Sequence, residues 1–156
     1  MATVKNFGDR VNPDAAKDPR AASAEETVLG LLLIFEEYRN AVESGEIALS
    51  EEDFVTAFHR RVFAAVMRLH RESGGVKYEL LGMEFSPDEI GRIRFAEEKR
   101  SRLSENGPTV FRSAVEALKD AKRKEALQNG NLSDRLAYLR EKQAKLHKGK
   151  AEKNEH

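Results

Sequence analysis

An all-α fold, a compact helical bundle followed by a C-terminal helical hairpin, is what this sequence predicts. Three observations carry the prediction. Ser23–Glu26 and Ser86–Glu89 both have the spacing of a capping box, a Ser that can accept from the third helical residue and a Glu that can reach back. Five segments place apolar residues at a period near 3.6. No long alternation of apolar and polar residues occurs that would read as a half-buried strand. The 156 residues are about one domain.

In order along the chain, residues 1–22 read as a flexible linker, because Pro13 and Pro19 disfavour a helix through a polar stretch. From the Ser23 cap, Val28, Leu29, Leu31, Leu32, Leu33, Ile34, Phe35, Tyr38 and Val42 cover every face of a helix over 24–44. A helix apolar all round must be surrounded by others, so it is the predicted centre of the bundle, with Gly30 allowing a close approach. Gly45 ends it. Ser50–Asp53 caps a short turn that leads to Phe54, and Phe58, Val62, Phe63, Val66, Met67 and His70 make a helix ending near Arg71. Ser73-Gly74-Gly75 breaks the chain, and residues 77–83 hold one or two helical turns. Pro87 follows the Ser86 cap as a first helical residue, and the helix it opens carries Ile90, Ile93 and Leu103.

Asn106-Gly107-Pro108 is the next punctuation, closing a bundle over 23–107. A helix and C-terminal hairpin over 108–147 follow. Val110, Phe111, Ala114, Val115, Leu118 and Ala121 stripe the first helix, and Leu132, Leu136, Leu139 and Leu146 stripe the last. Residues 148–156 form a charged tail. Leu32, Phe35, Phe58, Phe63, Val66 and Phe111 are the expected core. A two-helix hairpin buries too little surface to stand alone, so it must pack on the bundle or on a partner.

Composition excludes much chemistry. With no Cys there is no disulfide, thiol nucleophile or thiolate metal site, which fits a cytoplasmic location. No apolar run is long enough to span a membrane, and the N-terminus has no secretory h-region. His59 and His70 lie about 16 Å apart along one helix, too far to share a metal ion. Glu36-Glu37, Glu51-Glu52 and Glu97-Glu98 are adjacent pairs that point apart on a helix. Phosphate-cradling and hydrolase motifs are missing. The expectation is no catalytic residue, no metal, no cofactor and no small-molecule substrate.

Charge is unevenly spread. Residues 1–111 carry 15 basic and 20 acidic side chains, and residues 112–156 carry 12 and 7, so an acidic bundle precedes a basic hairpin. In its two basic clusters, Lys122-Arg123-Lys124 and the tail Lys145, Lys148, Lys150 and Lys153, Glu125, Glu152 and Glu155 interleave the cations, and no stacking aromatic side chain lies within either cluster. Direct nucleic-acid binding is therefore expected to be weak or absent.

The order of signals carries a resemblance. Glu26-Thr27-Val28-Leu29-Gly30-Leu31-Leu32-Leu33 opens an apolar helix. His59-Arg60-Arg61-Val62-Phe63 follows with Met67, and Asn106-Gly107-Pro108 leads into Phe111-Arg112 and Val115-Glu116-Ala117-Leu118-Lys119. Over 23–147 this resembles the C-terminal helicase-binding domain of bacterial DNA primase. It is similar also to the N-terminal domain of the replicative helicase, which shares that fold. The Phe-Arg-x-x-Val-Glu-x-Leu-Lys segment tips the reading toward primase.

The primase resemblance implies a non-catalytic domain. Its hairpin would dock on the hexameric replicative DNA helicase, and its bundle would modulate helicase activity during priming. The zinc module and polymerase domain of the family do not occur in this sequence, and 1–22 would be a remnant of the interdomain linker. Leu132, Leu136, Leu139 and Leu146 would then form the docking stripe, with Arg135 and Tyr138 as anchors. Arg140, Lys142 and Lys145 would supply a basic rim. Two alternatives stay open: a helicase N-terminal domain that binds primase, or a small helical protein that binds nucleic acid.

Overall fold

The computed structural model describes residues 10–129 and 136–144. Among these residues all regular structure is helical. The helices are α1 (Pro19–Ile34), α2 (Glu36–Glu43), α3 (Ala57–Ser73), the single turn α4 (Tyr78–Leu81), α5 (Pro87–Ser101), α6 (Pro108–Asn129) and α7 (136–144). Short 3-10 turns at Pro13–Ala16 and Glu51–Asp53 precede α1 and α3.

α1 is the axis of the bundle, flanked by α3, α5 and α6. Val28, Leu29, Leu31, Leu32 and Leu33 are all buried, as a helix apolar on every face requires. Gly30 lies against α5. A Cβ at this position would stand 2.5 Å from the Ala96 carbonyl oxygen and 2.6 Å from Arg100 Cγ, so only glycine permits this approach. Phe54, Phe58, Phe63 and Val66 close the core from the α3 side.

The expected linker is structured from residue 10 onward. α1 begins at Pro19, four residues before the Ser23 cap, and the Asp18 carboxylate accepts from Ala21 N at 3.1 Å. Pro19 does not oppose this helix. It occupies the first helical position, where its missing N–H costs no hydrogen bond. Ser23 lies inside the helix, and its carbonyl accepts from the Thr27 hydroxyl.

The predicted single helix over 24–44 is two. Phe35 is extended (φ −111°, ψ 111°) between α1 and α2. Arg39 stabilises the break. Its Nη1 donates to the Leu32 carbonyl at 2.7 Å and to that of Leu33 at 3.4 Å, two acceptors that the end of α1 leaves open. Burial lowers the Arg39 pKa, and Glu36 partly offsets the effect. Arg39 Nε also donates to His70 Nδ1 at 3.3 Å, so the imidazole proton sits on Nε2, 2.9 Å from Asn40 Oδ1. The kink is thereby tied to α3. Phe35, expected in the core, is only half-buried at this junction.

The Ser86–Glu89 capping box forms in both directions. At the other end of α5, Leu103 lies past the last helical residue and is 46% exposed, so it is no part of the apolar face predicted for this helix. Asn106 organises the next turn, donating to the carbonyls of Arg100 (2.8 Å) and Leu103 (2.9 Å) while its own carbonyl accepts from the Tyr38 hydroxyl at 2.5 Å. Phe111, Val115 and Leu118 on α6 are buried, and the Phe111 ring stacks on Tyr38 at 4.5 Å. The first hairpin helix therefore belongs to the bundle core over its first three turns. The break expected at 107/108 is a turn within one packed unit.

Candidate docking surface

Beyond Leu118, α6 runs on past the start of α1, where Asp120, Ala121, Lys124 and Gln128 line a cleft with Lys17, Asp18 and Arg20, and α7 returns beside it. Arg123 Nε lies 3.8 Å from the Glu141 carboxylate, which ties the two helices together. At 100° per residue, Glu141 is about 140° from Leu136 and about 160° from Leu139 around α7. The side of α7 that meets α6 is thus not the leucine side. Leu136 is 43% exposed and Leu139 53%, consistent with that geometry.

Five of the nine predicted docking residues fall within the described chain. Leu136, Leu139, Arg140 and Lys142 are exposed, and Tyr138 is half-buried, with Lys142 Nζ 5.2 Å from its ring centroid. Leu136, Leu139 and Arg140 share one side of α7 at spacings of three and four. Tyr138 is about 160° from Leu136 but about 60° from Glu141, on the side of α7 that meets α6, and Lys142 one turn on sets its ammonium over that ring. Leu132, Arg135, Lys145 and Leu146 lie outside the described residues. The hairpin thus presents leucines with cations beside them, an arrangement suited to an apolar partner surface with acidic edges.

A second polar constellation escaped the sequence reading. Glu25 is fully buried. Its carboxylate accepts from Val55 N (2.6 Å), the Thr56 hydroxyl (2.6 Å) and Thr56 N (3.4 Å), and pairs with His59 Nδ1 at 3.0 Å. Asn12 joins this cluster through Thr56 Oγ1 at 3.3 Å, and Asp14 caps α3 at Ala57 N with 3.0 Å. The cluster fastens residues 10–18 and the start of α3 to α1. His59 is buried here, and His70 serves the Arg39 kink. A signal existed in the sequence, because Glu25 shares a helical face with Leu29 and Leu32. The cluster is enclosed by the segments that it joins, which is the behaviour of a structural network.

Among the described residues no group of three or more His, Cys, Asp or Glu side chains could hold a metal ion. Nor is any of the described helices long and apolar enough to cross a membrane.

Comparison with known proteins agrees with the bundle. The DnaB-like helicase N terminal domain family matches residues 17–120. Comparisons with curated proteins and with solved structures return no match. The family match begins within the segment first read as linker and runs through the buried half of α6. Seven of the nine docking candidates follow Arg135, and all nine lie beyond the matched span. Since the match covers most of the chain and follows the packed helices α1 to α6, the protein belongs to the DnaB-like helicase N-terminal domain family.

Proposed function

We propose that this chain is a non-catalytic docking domain of the replicative helicase–primase assembly, and that its hairpin binds the replicative DNA helicase. The observation that carries this reading is an exposed leucine face with adjacent cations, on a hairpin rooted in a helicase-type bundle. An exposed apolar face rimmed by polar groups is the usual mark of a partner site. Recruitment of primase to the helicase and modulation of helicase activity during priming are the roles that this geometry supports.

A second reading takes primase as the direct partner, as for a helicase N-terminal domain, and the family match favours it. The segment that pointed to primase identity, Phe111-Arg112-x-x-Val115-Glu116-x-Leu118-Lys119, loses weight beside it. Phe111, Val115 and Leu118 are buried against the bundle, so packing alone accounts for their spacing. Titrating labelled full-length chain with purified hexameric helicase, and separately with the primase C-terminal domain, distinguishes the readings. The proposal expects saturable binding to the helicase, and the second reading expects it to primase. Binding to neither defeats both.

A further inference from the structure

A cleft of about 300 Å³ opens where the acidic loop before α3 meets α6. Glu46, Ile47 and Ala48 form one wall, and Arg112, Glu116 and Lys119 stand on the other. Arg112 lies 3.6 Å from Glu46 and bridges the two walls. Glu116 is exposed and has no ion pair among the described residues. The stretch 45–53 holds four carboxylates, Glu46, Glu51, Glu52 and Asp53, and no cation, and its 3-10 turn packs on α6. A cation-bearing segment suits such a place.

The register of the hairpin says which segment reaches it. α7 returns along α6 with Arg123 opposite Glu141, so each step onward in α7 is level with a step back in α6. Seven residues on from Glu141 is Lys148, and seven back from Arg123 is Glu116. Seven residues bring a helix round to within about 20° of where it began, so Glu116 lies on the Arg123 side of α6. A helix carried one turn beyond residue 144 would set Lys148 level with Glu116, on the side that meets α6. Lys145, between these levels, falls opposite Lys119 and adds no attraction. Gly149 follows, a residue type that commonly ends a helix. Residues 145–153 hold four lysines and one glutamate. We infer that the cleft is the docking site of the chain's own residues 148–153, with Lys148 on Glu116 and Lys150, past Gly149, on Glu46. The contact is a clasp. It keeps the Glu141 side of α7 against α6 and Leu136 and Leu139 turned outward, so a partner meets a helix already oriented.

Coupling with a carbodiimide, which joins a lysine to a touching carboxylate without a spacer, tests this on the full chain with no other protein present. The Lys99–Glu26 pair, 3.1 Å apart, is the internal standard. Mixing unlabelled with nitrogen-15-labelled chain tells links within one molecule from links between two. Same-isotope links from Lys148 to Glu116 and from Lys150 to Glu46 are expected in the peptide map. Glu116→Lys should cut the coupling of Lys148 at least tenfold and leave the Lys99–Glu26 link unchanged. Adding Lys148→Glu to that variant should restore the link with the two partners exchanged. Absence of both tail links while Lys99 and Glu26 couple overturns the inference. So do tail links mainly of mixed isotope, which would place the contact between copies. Coupling of Lys148 that survives Glu116→Lys also overturns it, because the tail would then follow general attraction to the acidic stretch and not the register of the hairpin. The absence of helicase and primase keeps these outcomes separate from the proposed docking function.

Discussion

Glu25 is the residue where sequence pattern and structure part most clearly. Its position beside Ser23 reads as part of a helix cap, yet the helix has already begun and the carboxylate is sealed inside the bundle. Buried polar groups are tolerable only when bonded, and Glu25 meets that condition through Val55, Thr56 and His59. Glu25→Ala would strand two backbone N–H groups and a hydroxyl. At about 1–3 kcal/mol for each unsatisfied buried donor, a loss of about 3 kcal/mol or more is expected in a urea melt. In a double-mutant cycle with Thr56→Val, the two losses should fall short of additivity, because both changes remove the bond from the Thr56 hydroxyl to Glu25. Gly30 is the opposite case, since its need was legible from an apolar helix with a glycine at its centre. Gly30→Ala drives a methyl into the Ala96 carbonyl, a backbone atom that cannot rotate away. Overpacking of this kind costs about 1–3 kcal/mol, measurable as a drop in Tm.

Among the elements, the legible ones were those whose ends are written in local chemistry. α5 opens at Ser86 and Pro87, and α3 closes at Gly74 in the left-handed conformation (φ 73°), both as the residues predict. The break at Phe35 was not legible. Its cause is Arg39, a residue from the following helix that satisfies carbonyls behind it, and no window of apolar spacing records that. The start of α1 was misplaced for a related reason, because a proline can open a helix as readily as it ends one. The α5 cap yields a pH prediction. The Ser86 backbone N–H, together with Arg61, holds the Glu89 pKa below the usual glutamate value. A depressed carboxylate contributes stability above its unfolded pKa and loses it as pH falls through the folded value. Glu89→Gln should therefore lower Tm at pH 7, and the gap from wild type should narrow as pH falls below the glutamate range. A constant gap down to pH 3 would show that Glu89 acts through packing and not through its charge.

At the scale of the whole molecule, an acidic bundle anchors a basic hairpin through one long helix. The first turns of α6 complete the core with Phe111, Val115 and Leu118, while α7 is held beside its far end by the Arg123–Glu141 pair. Exposed ion pairs of this kind contribute about 0–1 kcal/mol, so the bundle should not depend on α7. Removal of 130–156 is expected to leave a cooperative melt with a midpoint close to that of the full chain. The sequence disclosed the bundle and its helical class, and it placed Leu136 and Leu139 on a last helix. It could not disclose which side of that helix meets α6, because that depends on a contact between Arg123 and Glu141 across the hairpin. The proposed docking function rests on the outward face of α7. Fluorescence anisotropy of the labelled chain against hexameric replicative helicase tests it most directly, comparing wild type with Leu139→Glu. Saturable wild-type binding and at least a tenfold weaker variant, about 1.4 kcal/mol, are expected, with the two melting alike. Equal binding by the two chains would contradict it and move the interface off the hairpin.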